Sequence, residues 1–509
     1  MFKDIRPFVF WPPAVILVGA VIASLISFDG FLGASTAAND WLLKRLAWAF
    51  SFTPLGAVIL VGAVAVSPLG AVRIGGPDAK PILSRWNVFA ITLCTTVATG
   101  ILFWGAAEPM FHFTAPPQFA DAAPGSAEAA RFALSTLYFH WTITPYAIYT
   151  VPTLAFALAY YNLGKPYSLS APLSLGVKAL ETKPGAAALD AVALFALTAG
   201  VAASLGTGIL SLVGGLEQAF GWRDAPGLRL VVAILIVATF ITSSVTGLHR
   251  GIRILSDFNV RLFFALAAFL FLAGPTLAML ELAGRSLVGF LVEFPVRSVG
   301  NLTGPDADWT RSWTAFNFAN WMAWAPITAL FLGRIVKGYT VREAIVFNLA
   351  APALFSFVWM TIFGGGALVI DQANGGVLSA ALADAGPEAI MYDIFAMLPL
   401  AEIVIIIFVG SIFISFVTAM DSNTHSIASV CLKAARQEDE AIGAGLWVKI
   451  FWGVLIAAIA VIMTATKGVA GVKMLSNLGG YPALLILIGA MAALTRMTLN
   501  PALVTRPSS

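Results

Sequence analysis

The chain alternates between long apolar runs and short polar connections. Apolar runs of about 20 residues, the length of helix that crosses a bilayer, centre near positions 18, 57, 98, 145, 202, 236, 268, 322, 355, 410, 456 and 483. They predict an all-α, polytopic membrane protein with about twelve transmembrane helices. The longer connections at 111–130 and 281–310 contain Pro, Gly and short amphipathic stretches, and we expect them to lie along the membrane surface.

Composition and charge support the membrane assignment. The 509 residues are 59% hydrophobic and 11% charged, whereas soluble domains contain about 25% charged residues. A formal net charge of +3 gives no reason to expect a nucleic-acid partner. Lys and Arg are more frequent in the connections on the N-terminal side of the membrane, which predicts that both termini are cytoplasmic. Cys94 and Cys431 lie in apolar runs, which favours free thiols over a disulfide or metal site.

The eighth apolar run carries the most informative pattern of aromatic and amide side chains. On a regular helix, Trp313, Asn317, Asn320, Trp321 and Trp324 share one face. Indole faces attract a weakly hydrated cation, such as a methylated ammonium, by about 0.5 to 2 kcal/mol per ring. The stripe predicts a cation-binding pocket, and ordinary helix packing with an interfacial aromatic belt is the alternative.

The fourth run adds a second aromatic face. It contains Trp141, Tyr146 and Tyr149, and Pro145 removes one backbone hydrogen bond among them. Two such faces on neighbouring helices would enclose one cation, whereas core packing with satisfied Tyr hydroxyls is the alternative. His140 is interpreted as a packed neutral histidine rather than a proton relay.

The third run is interrupted by the polar segment 95–100. Irregular helices at matching positions of two halves are typical of the midplane site of an inverted-repeat carrier. Backbone carbonyls from Val97 onward and the Thr418 hydroxyl are candidate ligands for a small cation such as Na⁺. In the alternative interpretation, the Thr418 hydroxyl bonds to a carbonyl one turn back.

The remaining polar motifs give no indication of catalysis. Thr340 and Glu343 predict a capping box at the start of the ninth helix. The sequence contains no Gly-rich phosphate loop, nucleophile elbow or His/Cys metal spacing. We therefore expect neither an enzyme nor a resident metal or organic cofactor.

Several motifs resemble those of the betaine/choline/carnitine transporter family. The eighth run is similar to that family's Trp-rich signature, which ends at Pro326 and is followed by Arg334 and a basic loop. Further matches lie at 102–109, 140–149, 203–206, 244–247, 416–418 and 421–422. The resemblance extends from the third run to the tenth.

The resemblance implies a fold and a function. The fold is a leucine-transporter-like core of two inverted five-helix repeats preceded by two extra helices. Together with the span positions, this places two peripheral helices in 1–84, the repeats in 85–285 and 309–500, an outer amphipathic connector in 286–308 and a tail in 501–509. The implied function is secondary transport by alternating access in the bacterial inner membrane, by a homotrimer. The implied substrates are zwitterionic quaternary-ammonium osmolytes or nutrients such as betaine, carnitine, choline or a sulfonium analogue.

The resemblance also assigns substrate-site residues. By position, the aromatic box consists of Trp141, Tyr146, Tyr149 and Trp321, and Trp324 lies lower on the inward path. The predicted substrate site also includes, from the stripe and the third run, Asn317, Asn320, Thr99 and Gly100.

Three departures from the family pattern leave alternatives open. Thr96 and the residues up to Gly100 replace a Gly-x-Gly-x-Gly segment, and Asn317 and Asn320 replace aromatic residues. Ala419 stands where sodium-coupled members have Ser after the threonine. Na⁺ and H⁺ therefore both remain candidate coupling ions. Carriers of amino acids, ectoine-like compounds or sulfonates, and a channel or transport-derived sensor, remain alternative functions.

Overall fold

The chain folds almost wholly into helices. A computed structural model describes residues 4–96, 100–223, 225–245, 249–300, 303–433 and 442–505. Val97 and Thr99, predicted as site residues, lie outside this part of the chain. The first eleven α-helices are α1 (Pro7–Ile26), α2 (Phe28–Val66), α3 (Arg85–Thr96), α4 (Gly100–Thr114), α5 (Ala127–Trp141), α6 (Ile143–Tyr161), α7 (Ser170–Leu173), α8 (Lys183–Phe220), α9 (Pro226–Val245), α10 (His249–Ala273) and α11 (Thr276–Val299).

The second part of the chain is interrupted by short π-helical turns. The α-helices there are α12 (Ala307–Thr310), α13 (Phe316–Ile335), α14 (Val341–Ile345), α15 (Ala351–Met360), α16 (Gly366–Ala373), α17 (Val377–Asp384), α18 (Ile390–Ala396), α19 (Ala401–Cys431), α20 (Ile442–Lys467), α21 (Val469–Leu499) and α22 (Ala502–Thr505). The π-helical turns are Arg311–Ala315, Val346–Ala350 and Thr361–Gly365. Short 3-10 turns lie at Pro68–Ala71, Gln118–Ala120 and Lys178–Glu181.

Helices lie at, or directly flank, all twelve predicted span centres. In the part of the chain that the structure describes, nine helical stretches are long and apolar enough to cross a membrane, or up to eleven if two bent pairs are included. The bent pairs are α3 with α4, at 56°, and residues 257–273 with α11, at 107°. Helix α13 is not among them, because Asn317, Asn320 and Arg334 lower its apolar character. The all-α, multi-span prediction is confirmed.

Helix α13 lies at the centre of the bundle. It packs against α21, α6 and α8, and α8 in turn packs against α19, α20 and α1. Large apolar side chains are exposed on the peripheral helices, for example Leu25, Leu230, Leu272 and Leu277. Such faces suit contact with lipid, so the polar and aromatic face of α13 is turned toward other helices rather than the bilayer.

The fourth predicted helix is two helices. Thr142, between α5 and α6, has φ −112° and ψ −109°, which is outside the helical region. Pro145 lies in the first turn of α6, where its missing N–H has no helical partner to lose. Residues 127–161 still form one span, with an irregular residue at Thr142 between Trp141 and Tyr149. Trp141 and Tyr149 lie on either side of this break, which still brings them to the same part of the bundle.

The segment after α13 is fixed by the predicted capping box. The N–H of Glu343 donates to Thr340 Oγ1 at 3.2 Å, and the N–H of Thr340 donates to Glu343 Oε2 at 3.0 Å. Arg85 pairs with Glu343 at 2.8 Å and ties this segment to the start of α3. The capping-box prediction is confirmed, and its role is structural.

Helix α11 is longer than the predicted connector. It begins at Thr276, so the boundary predicted between residues 285 and 286 falls inside one helix. The apolar residues before position 286 and the amphipathic residues after it therefore belong to one continuous helix. Arg297 anchors α11 to α5 by donating to Thr136 Oγ1 at 2.7 Å.

Candidate functional site

Four aromatic rings meet where α5 and α6 face α13. The Trp321 ring centroid lies 5.5 Å from that of Trp141, 5.6 Å from Tyr146 and 5.2 Å from Tyr149. The interplanar angles of 70°, 60° and 64° are closer to edge-to-face than to stacked packing. All four side chains are buried. We call this group the aromatic box.

A small cavity lies beside the aromatic box, where α3, α4, α8 and α19 approach it. The lining residues are Cys94, Thr95, Thr96, Gly100, Trp141, Tyr149, Ser204, Asn320, Trp321, Trp324 and Ala419. Six predicted site residues are therefore brought to one cavity: Gly100, Trp141, Tyr149, Asn320, Trp321 and Trp324. Tyr146, Asn317 and Thr418 are not among the described residues that line it.

Gly100 allows Trp141 to approach the start of α4 closely. A Cβ at position 100 would lie 2.7 Å from Cη2 and 2.8 Å from Cζ3 of the Trp141 ring. Contacts this short force one of the two groups to move. A side chain at position 100 would therefore push a wall of the aromatic box out of place.

The indole N–H groups of both tryptophan walls are held by one buried network. Trp141 Nε1 donates to Glu108 Oε2 at 2.7 Å, and Asn317 Nδ2 donates to the same oxygen at 3.3 Å. Asn317 Oδ1 in turn accepts from Trp321 Nε1 at 3.1 Å. Glu108 is fully buried in α4. Asn317 therefore positions Trp321 from behind the cavity, and it fixes both rings relative to one carboxylate.

Two histidines complete this network. His140 Nδ1 lies 2.5 Å from Glu108 Oε1, and His140 Nε2 lies 3.1 Å from Thr314 Oγ1. His112 Nε2 lies 3.4 Å from Glu108 Oε1, one turn along α4. All three ionisable side chains are fully buried. We call Glu108, His112 and His140 the Glu108 cluster.

Sequence analysis missed the Glu108 cluster, although a signal for it was present. Glu108 is an ionisable residue within an apolar run, and such a residue is expensive to bury without a role. His140 was interpreted only as a packed neutral ring. Its contact with Glu108 depends on the packing of α4 against α5, which residue spacing along the chain does not reveal.

The two asparagines of the stripe have different surroundings. Asn320 lines the cavity, and its Oδ1 accepts from Ser476 Oγ of α21 at 2.9 Å. Asn317 is bonded on both sides to Glu108 and Trp321. Of the two asparagines, Asn320 is therefore the one that a molecule in the cavity would contact.

Trp313 does not belong to the aromatic box. It lies in the π-helical turn before α13, and the wider turn rotates it away from Trp321. Its ring packs 4.5 Å from His112 and 6.2 Å from Trp104, between centroids, and Lys473 Nζ lies 3.3 Å from its centroid. Of the five residues of the predicted stripe, Asn320, Trp321 and Trp324 line the cavity, whereas Trp313 and Asn317 do not.

Thr418 makes the helical contacts of the alternative interpretation. Its Oγ1 donates to the carbonyl oxygens of Ile414 at 2.9 Å and Ser415 at 3.0 Å. Its neighbour Ala419 lines the cavity and offers no side-chain oxygen. The predicted ion ligand at Val97 lies outside the described residues, so the predicted ion site stays a prediction.

Comparison with known proteins shows the family of the chain. The family model described as "BCCT, betaine/carnitine/choline family transporter" matches residues 8–502. The chain is 29% identical to the glycine betaine transporter OpuD of Bacillus subtilis, with 97% of this chain and 94% of the relative covered. It is 30% identical to the ectoine/hydroxyectoine transporter of Virgibacillus pantothenticus, with 88% of each covered. It is also 30% identical to the betaine/ectoine transporter LcoP of Corynebacterium glutamicum, with 97% and 78% covered.

A solved structure supports the fold. The structure described as a substrate-bound, outward-open state of a Na⁺-coupled sialic acid symporter has a TM-score of 0.51 and 14% identity, with 88% of this chain and 85% of that chain covered. At this identity the likeness concerns the fold alone, and it confirms the leucine-transporter-like prediction. Because the family model spans nearly the whole chain, the protein belongs to the betaine/carnitine/choline transporter family and is a multi-pass membrane transporter.

Proposed function

We propose that the chain carries a small zwitterionic quaternary-ammonium osmolyte, with glycine betaine as the leading candidate, by alternating access. The observation that carries this proposal is the aromatic box, in which Trp141, Tyr146 and Tyr149 surround Trp321 next to a cavity. A trimethylammonium group has little hydration to lose and gains about 0.5 to 2 kcal/mol from each ring face. No cationic side chain lines this cavity among the described residues, so a substrate cation would not meet repulsion there.

The other end of the cavity suits a carboxylate. Thr95, Thr96 and Ser204 supply hydroxyls, and Asn320 supplies an amide. A zwitterion would therefore lie with its ammonium group against the box and its carboxylate toward these hydroxyl and amide groups.

Ectoine is the second candidate substrate. Two of the relatives are named as ectoine transporters at 30% identity. Ectoine combines a delocalised, flat cation with a carboxylate, and the indole faces of Trp321 and Trp141 suit such a cation. Asn320 lines the cavity, and its side-chain amide is a hydrogen-bonding partner for the ring N–H groups of ectoine. Amino acids and sulfonates are the remaining solutes to be compared, and a channel or sensor has no supporting observation.

We propose that the position predicted from Val97 and Thr418 does not hold a coupling Na⁺. One feature supports this proposal: Ala419, next to Thr418, has no side-chain oxygen to serve as a ligand. A Na⁺ site needs several oxygen ligands close to the ion. The loss of one oxygen ligand lowers the affinity of such a site for Na⁺.

The proposed setting is the bacterial inner membrane, with both termini in the cytoplasm and three copies assembled as a homotrimer. The exposed apolar faces of the peripheral helices give such a trimer both lipid-facing and subunit-facing surface. We assign the chain no catalytic activity, no organic cofactor and no nucleic-acid partner.

Uptake into proteoliposomes tests the proposed function. Purified protein is reconstituted and supplied with radiolabelled glycine betaine or ectoine, with amino acids and a sulfonate as competitors. Concentrative uptake of betaine, inhibited by its methylated analogues, supports the proposal. Protein-free liposomes and the Trp141→Ala variant are the controls. Uptake of an amino acid or sulfonate without uptake of betaine or ectoine would refute it.

A further inference from the structure

The Glu108 cluster contains more buried ionisable groups than are needed to hold two indole rings. We propose that it is a proton-binding site, in which a proton taken up by the hydrogen-bonded pair of Glu108 and His140 competes with the cationic group of a substrate in the aromatic box. This inference rests on the proposed function, because the competition requires a substrate that carries a positive charge.

The distances in the cluster fit a proton. Glu108 Oε1 and His140 Nδ1 lie 2.5 Å apart, within hydrogen-bond distance. The second carboxylate oxygen is already occupied by the N–H groups of Trp141 and Asn317. The groups that contact the Glu108 carboxylate are therefore ones that can donate hydrogen to it.

Thr314 allows the pair to change its protonation without moving heavy atoms. Its hydroxyl lies 3.1 Å from His140 Nε2 and rotates freely between donor and acceptor roles. When His140 is neutral, Nδ1–H donates to Glu108 and Nε2 accepts from Thr314. When His140 is charged, both ring nitrogens donate and Thr314 accepts. Both states keep every hydrogen bond of His140.

His112 provides an independent sign that the cluster is incomplete as a purely structural network. The ring is fully buried, yet its Nδ1 has no hydrogen-bond partner among the described residues. Its Nε2 reaches Glu108 Oε1 only at 3.4 Å. A buried polar atom without a partner is uncommon and calls for a functional reason. A second imidazole beside the shared proton gives that proton an alternative acceptor.

Lys473 of α21 is the nearest cationic side chain outside the cluster. It lies against the Trp313 ring, and Trp313 packs on His112. The other charged groups on neighbouring elements are paired or used elsewhere: Arg131 and Arg297 with Glu293, Arg311 with Asp308, and Asp371 with the start of α17. With both imidazoles neutral, the Glu108 cluster itself is therefore negative, and Lys473 lies beyond Trp313 and His112.

The competition follows from the position of Trp141. Its N–H is bonded to Glu108 and its ring is a wall of the aromatic box, so one indole separates the carboxylate from a bound cation. A cation in the box is attracted by a net negative cluster and less so by a cluster that has gained a proton. Substrate binding must then lower the affinity of the cluster for its proton by the same factor.

Nuclear magnetic resonance of the histidines tests the proton site without any substrate. The chain contains four histidines, so protein labelled with ¹⁵N-histidine in lipid nanodiscs gives few imidazole signals. His140→Gln and His112→Gln identify the signals of the cluster. We expect the His140 signals to change on acidification as Nε2 becomes a donor, and this change to be lost or displaced in Glu108→Gln. A His140 signal that is the same at every pH at which the protein stays folded would overturn the proposal.

The affinity for glycine betaine, measured as a function of pH by equilibrium binding, tests the competition. We expect the Kd to rise on acidification, by up to about tenfold per pH unit for one linked proton. Glu108→Gln should remove this dependence. Asp371→Asn, which removes a buried carboxylate remote from the box, should retain it.

The outcomes distinguish the two proposals. If His140 titrates but the protein binds no betaine or ectoine at any pH, the proposed substrate class is wrong and the competition is overturned with it, while the proton site stands. If betaine binds with a Kd that is independent of pH, or equally dependent in Glu108→Gln, the competition at the Glu108 cluster is wrong while the proposed function stands.

Discussion

Trp141 donates its indole N–H to Glu108 Oε2 at 2.7 Å, and both side chains are buried. This contact joins the two parts of the site. On one side of Trp141 lies the cavity, and on the other lies a carboxylate shared with two histidines and Asn317. The orientation of a box wall therefore depends on a group that never meets the substrate.

Gly100→Ala should displace Trp141. A Cβ at this position would lie 2.7 Å from the indole ring, and crowding of a packed site typically costs about 1 to 3 kcal/mol, so betaine affinity should fall about tenfold. The control is Gly19→Ala in α1, where nothing lies within 4 Å of the added Cβ. Isothermal titration calorimetry measures both. Undiminished affinity in Gly100→Ala would show that Trp141 does not form a wall of the site.

Asn317 and Asn320 should differ when substituted. Asn317→Ala removes the link between Glu108 and Trp321, at a cost of about 1 to 3 kcal/mol, so affinity should fall equally for betaine and ectoine. Asn320 lines the cavity, so Asn320→Ala should change the ranking of the two solutes. Asn348→Ala, which removes a buried amide elsewhere, is the control. Competition uptake measures the preference between betaine and ectoine in each variant. A changed preference in Asn317→Ala would contradict the role of Asn317 as a residue that only positions Trp321.

At position 321, an aromatic ring should contribute more to betaine affinity than the bulk of the side chain does. Trp321→Phe keeps an aromatic face and should retain most of the affinity for betaine, whereas Trp321→Leu loses up to about 2 kcal/mol of cation–π attraction. Trp452→Leu, at a buried indole outside the box, should lower stability without changing affinity. Binding measurements on the three variants test this. Equal affinities of the Phe and Leu variants argue against cation recognition by the ring.

Uptake should persist when external Na⁺ is replaced by K⁺. Ala419 offers no side-chain oxygen, which removes one ligand that a Na⁺ site beside Thr418 would need. Proteoliposome uptake in the two salts at constant pH measures the dependence, with a proton ionophore as the companion condition. Collapse of uptake in K⁺ together with insensitivity to the ionophore would establish sodium coupling instead.

Helix positions and the box rings could be predicted from the sequence because their signals are local. Apolar runs mark the spans, and aromatic residues near Trp141 and Trp321 mark two faces that meet. Local irregularities were not predictable from an even helical period. The break at Thr142 and the π-helical turn at Trp313 each change the direction in which side chains point.

The network behind the box was beyond sequence reasoning for a different reason. Glu108, His140 and Asn317 are far apart in sequence and belong to three helices. Their contacts depend on how α4, α5 and the segment leading into α13 pack together. Each residue alone fits several roles, and only the packing shows that they share one carboxylate.

Comparison of glycine betaine with its uncharged-carbon isostere 3,3-dimethylbutanoate tests the central claim most directly. The two molecules have nearly the same shape, but only betaine has a positive charge where the methyl groups are attached. Equilibrium binding to the wild-type protein should favour betaine by at least about tenfold, as expected for more than one ring face at about 0.5 to 2 kcal/mol each. In Trp321→Leu this preference should shrink. Equal affinity of the wild-type protein for the two molecules would contradict the aromatic box as a cation site.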